Sequence, residues 1–200
     1  MAEGATVRAP ARRPGGRTAR VRTQILAATV ELVARHGLAG VRYDEVAELA
    51  GVHRRSVYRN WPARGELVRA ALRQFAEDTV PIEDTGVLRG DLANFLMAVA
   101  ATLATPTGRA IEHALQSASE NPDLREAVTA ILDQRLAVLG QRVDRAIERG
   151  ELPPADAEFL AGLLIGPVRL HVSRARRPFT RAEAEKITDV VLAGVRATAP

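Results

Sequence analysis

The 200-residue sequence predicts an all-α protein of about nine helices. Three observations carry this expectation. Apolar residues recur at three- and four-residue steps through most of the chain, which places them on one face of a helix. No stretch alternates apolar and polar residues as a half-buried strand would. Glycine or proline marks most breaks between the periodic stretches, as at Gly37, Gly51, Pro62, Pro106 and Gly150.

Hydrophobic residues make up 46% of the chain and charged residues 26%, an ordinary balance for a soluble globular protein. No apolar run approaches the roughly 18 residues of a membrane helix. The opening MAEGATVRAPARRPGGRTAR lacks the apolar core of about 7–15 residues found in a secretory signal. Cysteine is absent, which excludes disulfides and thiolate chemistry; a cytoplasmic location with no membrane partner is expected.

A formal net charge of +4 hides an asymmetry. Residues 1–65 carry 12 Arg against 5 acids, whereas residues 66–200 carry 16 basic residues against 19 acids. The first third therefore suits a polyanion and the remainder suits another partner. Nearly all the basic residues are Arg, a bias attributed mainly to a GC-rich genome, and Arg also grips phosphates and guanine edges bidentately.

Residues 1–17 place Arg8, Arg12, Arg13 and Arg17 among Pro10, Pro14, Gly15 and Gly16, so a disordered basic arm is expected. It fits either an arm following the DNA backbone or minor groove or a solubilising tail. A helix-turn-helix unit is expected over 18–63. Its first helix runs from Thr18 to His36, with Val21, Ile25, Ala28, Thr29, Leu32 and Val33 on one face. Arg20 and Arg22 suit phosphate contact or a solvated face equally.

The stretch VRYDEVAELAGVHRRSVYRNW, residues 41–61, reads as two short helices joined by a tight turn. Val46, Ala47 and Leu49 form one apolar side; Val52 and Val57 return to the same interior. Gly51 sits where the chain reverses with positive φ, a conformation that a Cβ resists by roughly 1–2 kcal/mol. The second helix then presents Arg54, Arg55, Ser56, Tyr58, Arg59 and Asn60 outward, a row suited to a major groove. Trp61 is expected to pack beneath as core.

A connecting helix is expected over 64–80, with Leu67, Val68, Ala71, Leu72 and Phe75 buried, followed by a boundary near Pro81. The body, 81–200, holds helices from Val87 to Ala104, Thr107 to Ser119, Pro122 to about Arg149, Asp156 to Arg174 and Arg181 to Thr198. In the long one, Leu124, Val128, Ile131, Leu132, Leu136, Leu139, Val143 and Ile147 mark the buried side. Pro167 should kink or break its helix. The last two helices offer more apolar surface than one bundle needs, which suggests an isologous homodimer. Paired carboxylates such as Glu83 and Asp84 read as a solvated loop.

Enzymatic chemistry finds little support. No His has a Glu three positions before it, as a helical di-metal site needs. No phosphate-binding P-loop and no Gly-x-Ser-x-Gly turn occur. No cofactor and no metal are expected.

The run AGVHRRSVYRNWPARGELVRAAL resembles the tetracycline-repressor (TetR/AcrR) type of bacterial transcriptional regulator over about Arg17 to Phe75. Three positions depart from the pattern: Arg42 stands for a common Thr, His53 for a capping Ser, and Ala63 for a polar cap. A missing cap weakens a helix by about 1 kcal/mol. The resemblance implies that Arg54, Arg55 and Ser56 reach base edges, that Tyr58 and Asn60 touch phosphate or flanking bases, and that Tyr43 and Arg64 meet backbone phosphate. Arg42 and His53 complete the expected DNA-facing set.

The resemblance further implies a C-terminal body that binds a small-molecule effector and dimerises through its last two helices. Phe95, Leu96, Val99, Leu103, His113, Gln116, Leu132 and Leu136 are the expected effector liners. The dimer interface is expected from Phe159, Leu163, Gly166, Ile187, Val191 and Val195. With seven aromatic residues in the chain, an aliphatic or mixed effector is expected rather than a flat stacked one. The reading that results is a ligand-responsive repressor released from a pseudo-palindromic duplex operator. A nonspecific nucleoid-type protein is the alternative, with a helical-bundle enzyme behind it.

Overall fold

A computed structural model describes residues 15–119, 122–174 and 177–198. Among them are nine helices and no strand: α1 (Gly15–His36), α2 (Tyr43–Ala50), α3 (Arg54–Asn60), α4 (Arg64–Thr79), α5 (Leu88–Ala104), α6 (Pro106–Ser119), α7 (Pro122–Glu148), α8 (Ala157–Arg174) and α9 (Arg181–Thr198). The basic arm expected over 1–17 lies outside the described residues as far as residue 14, as does the side chain of Leu124.

Local chemistry explains several boundaries. Thr105 Oγ1 accepts from the Gly108 amide at 2.9 Å, and Pro106 occupies the first position of α6, where its missing N–H removes nothing. A Cβ on Gly108 would collide with the Thr102 carbonyl, so this α5–α6 corner requires glycine. Asp156 Oδ1 caps α8 through the Glu158 and Phe159 amides at 2.8 and 3.2 Å. Thr180 and Glu183 form a reciprocal capping box at the start of α9.

Two apolar cores result. The first joins α1–α4 to Ile111, Ala114 and Ala118 of α6 and to Val128 and Ile131 of α7. The second joins α5 to the later half of α7, α8 and α9. The helix-turn-helix unit is thus packed on part of the body, rather than linked to it by α4 alone.

The second core contains a buried charge cluster. Arg142 and Asp91 are each 1% exposed, and Arg142 Nη2 lies 2.7 Å from Asp91 Oδ2. Asp91 also accepts from the Thr85 hydroxyl at 2.6 Å. Asp84 lies 2.6 Å from Arg149, 2.9 Å from Arg145 and 3.3 Å from Arg142. Its hydrogen bond with Arg149, followed by the charges of the three arginines, holds the Asp84 carboxyl well below its usual range despite partial burial. Asp84 is therefore a structural anchor tying the loop after α4 to α7, not the solvated loop carboxylate expected.

Other expectations are corrected. Leu49 is 42% exposed; Val46, Ala47 and Ala50 form the buried side of α2. Helix α8 runs through Pro167 without interruption. Pro167 and Leu163, whose carbonyl loses its helical donor, both lie exposed, where water or a partner can satisfy that carbonyl. Val191 is buried within the chain's own second core, and Ile187 and Val195 pack against it, so three of the six expected interface residues face inward. The outward apolar row is Phe159, Leu163 and Leu170 on α8, with Val190 on α9.

Candidate nucleic-acid interface and cavity

The turn between α2 and α3 is a Schellman-type reversal. Gly51 adopts φ 64°, ψ 37°; its amide donates to Glu48 O at 3.1 Å, and the Val52 amide donates to Ala47 O at 2.9 Å. No atom would obstruct a Cβ on Gly51, so backbone conformation alone demands glycine. Val57 anchors α3 through full burial, and Trp61 ends it in the same core.

This anchoring leaves the opposite side of α3 in solvent. Arg54, Arg55, Tyr58, Arg59 and Asn60 are exposed and Ser56 is half-buried. Arg54 is held by its own protein: Nη1 lies 2.8 Å from Asp44 Oδ1, and Nη2 donates to the Tyr58 hydroxyl at 2.9 Å. Arg55 and Arg59 have no such partner among the described residues. Of the two arginines, one of which is expected to read a base, Arg54 is pre-oriented and partly neutralised, while Arg55 carries no such contact.

Arg42, His53 and Ala63 occupy the N-cap positions of α2, α3 and α4, and none caps with its side chain. Arg42 and His53 are exposed on the same unit. Tyr43 stacks on Tyr58 at 4.2 Å and donates its hydroxyl to Trp61 O at 2.7 Å; burial raises its pKa above the usual value. Tyr43 thus braces α2 against α3, leaving only its oxygen lone pairs for a neighbour. Arg64 Nη1 donates to Ala39 O at 3.1 Å, fixing the start of α4 on the loop before α2. Asn60 Nδ2 donates to Ser56 O at 2.7 Å. Arg22 lies 4.8 Å over the Trp61 ring, so α1 brings a further cation to the C-terminal end of α3.

On the far side of α4, a cavity of about 560 Å³ lies at the seam of the two cores. Leu72, Phe75 and Thr79 of α4 form one wall; residues of α5, α6, α7 and α8 form the others. Of the expected liners, Phe95, Val99, Leu103, Leu132 and Leu136 are brought together there. Leu96 is fully buried in the second core, one helical step around from Phe95 and Val99. His113 and Gln116 are exposed outside the cavity, because α6 turns Gly108, Ile111, Glu112 and Leu115 towards it. Gln116 Nε2 donates to Glu112 at 2.9 Å. Gly166, expected at the dimer interface, also lines the cavity. Ile111, Leu115 and Arg135 were missed from sequence; the α6 stripe was readable, but the position of Arg135 depends on how α7 crosses α4.

Residues 25–77 match the family described as bacterial regulatory proteins, tetR family, and residues 82–191 match the tetracyclin repressor-like C-terminal domain. The HTH-type transcriptional regulator AqdR of Rhodococcus erythropolis is 28% identical over 179 residues, covering 89% of this chain and 86% of that one. The solved structure of the TetR family transcription regulator SCO0332 is 31% identical with a TM-score of 0.66, covering 88% of this chain and 98% of that one. FadR of Bacillus subtilis, solved in complex with stearoyl-CoA, shares the fold at 21% identity and a TM-score of 0.61, covering 86% of this chain and 98% of that one. With an outward arginine-bearing helix in the first matched segment and a helical body in the second, the chain belongs to the TetR family of bacterial transcriptional regulators.

Proposed function

We propose that the protein is a homodimeric, ligand-responsive repressor. Two copies of α3 enter successive major grooves of a pseudo-palindromic operator, with about 34–36 Å or slightly more between them. Arg55 is the leading candidate for reading guanine. Arg54, Ser56, Tyr58 and Asn60 position the helix, and Arg42, Tyr43, His53 and Arg64 contact or frame the flanking backbone. The outward row of Phe159, Leu163, Leu170 and Val190 is the proposed dimer contact, because four large apolar side chains exposed on adjacent helices favour burial against a two-fold copy.

The observation that carries the regulatory half is α4. It buries Leu67, Val68, Ala71 and Leu72 in the core of the helix-turn-helix unit while Leu72, Phe75 and Thr79 line the cavity. A molecule in the cavity therefore touches the helix that sets the DNA-binding unit's position. Its effect requires different affinities for the DNA-competent and released dimers, commonly about 1–3 kcal/mol of coupling. The cytoplasm is the matching location for such a repressor.

The test has two stages. Full-length protein is first used to capture genomic fragments, and the strongest site is measured at fixed salt. Compounds made or transported by the neighbouring genes are then added. Release of the operator by one of them at concentrations that leave dimerisation intact is the expected result. Tight, selective DNA binding that no cavity-occupying compound alters would remove the regulatory half.

A further inference from the structure

The cavity wall carries one cation whose surroundings ask for an anion. Arg135 of α7 is half-buried, lines the cavity, and donates through Nη2 to the Val80 carbonyl at 2.8 Å. Among the described residues no carboxylate lies within ion-pair distance of it. Glu77 is the acid acting on it electrostatically, and Glu77 sits 3.8 Å from Arg73. Arg135 is thereby left with donors unused, since a guanidinium has five and cannot neutralise itself by losing a proton.

The remaining polar groups of the cavity are committed or exposed. Glu112 pairs with Arg169 at 3.0 Å. The Thr102 hydroxyl donates to Thr79 O, and the Thr79 hydroxyl donates to Phe75 O. Asp133 and Glu158 lie exposed at the rim. Most other liners are aliphatic, with Phe75 and Phe95 as the aromatic exceptions. Burial also draws the Arg135 pKa below the usual arginine value, the sign of a charge short of compensation.

The partner Arg135 does have is informative. Val80 caps the C-terminus of α4, where unpaired carbonyls carry the negative end of the helix dipole. Arg135 is thus both a cavity group and the cation that holds the end of the connecting helix. An anion in the cavity competes directly with that carbonyl.

We propose that the cavity takes an aliphatic molecule ending in one oxyanion, such as a carboxylate, whose charged end binds Arg135 and draws it from Val80, loosening the last turn of α4. This rests on the effector reading above and gives it a ligand class and a first structural step. A charge-assisted, bidentate contact with an oxyanion outcompetes a single bond to a neutral carbonyl.

The test uses the full chain, with neutral Nile red as the displaceable probe and decanoate, decan-1-ol and decylamine as competitors. Decanoate should displace the probe at about tenfold to hundredfold lower concentration than decan-1-ol, the factor that one charged hydrogen-bonding contact commands. Arg135→Gln should abolish that margin, bringing the midpoints of acid and alcohol together. Hydrogen exchange over residues 76–82 should quicken with decanoate but not with decan-1-ol. In Arg135→Gln it should be fast from the outset.

Equal midpoints for acid and alcohol, or an acid preference surviving in Arg135→Gln, overturn the anion site. Acid binding that leaves exchange at the end of α4 unchanged overturns the release step. If Arg135→Gln fails to fold, the acid-to-alcohol ratio in the unaltered protein decides the anion site. Failure of all three competitors to displace bound probe would instead sink the cavity as an effector site, and this inference with it.

Discussion

The helix-turn-helix unit and the body place their chemistry on opposite sides of their surfaces. In the first, a fully buried Val57 and the reversal at Gly51 push arginines outward into water. In the second, charge points inward: Arg142 and Asp91 are buried together, and Arg135 borders a cavity. Outward groups on a short helix follow from local spacing. Inward groups gain their roles only when distant helices cross, so the body hides its function in tertiary structure.

Substitution at the buried pair should break this contrast most strongly. Asp91→Ala leaves Arg142, 1% exposed, with only its longer contacts to Asp84 at 3.3 Å and Glu151 at 3.8 Å, and global stability should fall by about 3 kcal/mol, the lower end for a broken buried pair, in urea titration. A loss under about 1 kcal/mol would mean that the pair adds little beyond what solvent supplies.

Substitutions on the exposed face of α3 should act on DNA affinity rather than stability. Arg55→Ala should lose about 1–3 kcal/mol of discrimination at one base position of each half-site, measured by competition with single-base operator variants. Arg54→Ala should have a smaller effect on base preference, because Asp44 and Tyr58 already engage that guanidinium. Equal, sequence-independent weakening by both would reduce them to phosphate contacts.

Gly51→Ala isolates the turn from everything it touches, since no neighbour would meet the added methyl. Its expected loss is about 1–2 kcal/mol of stability, from positive φ alone. A neutral effect would show that the reversal relaxes without penalty.

Acid should act more gently, through Asp84. Its pKa is depressed in the folded protein, so the stability it contributes is present above the unfolded carboxylate range and is lost as pH falls. Thermal midpoints should decline below about pH 5, and Asp84→Asn should flatten that decline. An unchanged slope would assign the acid sensitivity to other carboxylates, Glu183 among them, which is also held low by its bonds to Arg177 and Thr180.

Much of this architecture was legible in the chain itself. The Gly51 turn, the outward row on α3 and the burial of Val57 and Trp61 depend on spacings of a few residues. Phe95, Val99, Leu132 and Leu136 reached the cavity because helical periodicity brings out an apolar stripe. The same periodicity misassigned Leu96, which shares that stripe but faces the neighbouring core, and Val191, whose apolar side closes the chain's own second core. His113 reads as a polar liner in sequence because the rotation of α6 is set by tertiary packing, which turns it to solvent. Arg142 and Arg135 look like solvated helix residues in sequence; their burial depends on Asp91, 51 residues away, and on Val80, 55 residues away.

Selection from a random duplex library at one fixed salt concentration separates base reading by α3 from mere attraction to phosphate. A dimer that reads bases through α3 should enrich a two-fold symmetric motif, its half-sites about one helical turn or slightly more apart, with one position per half-site blurred by Arg55→Ala. Retention of the library without any motif, at an affinity governed by salt alone, would contradict it and leave a nonspecific DNA-coating protein in its place.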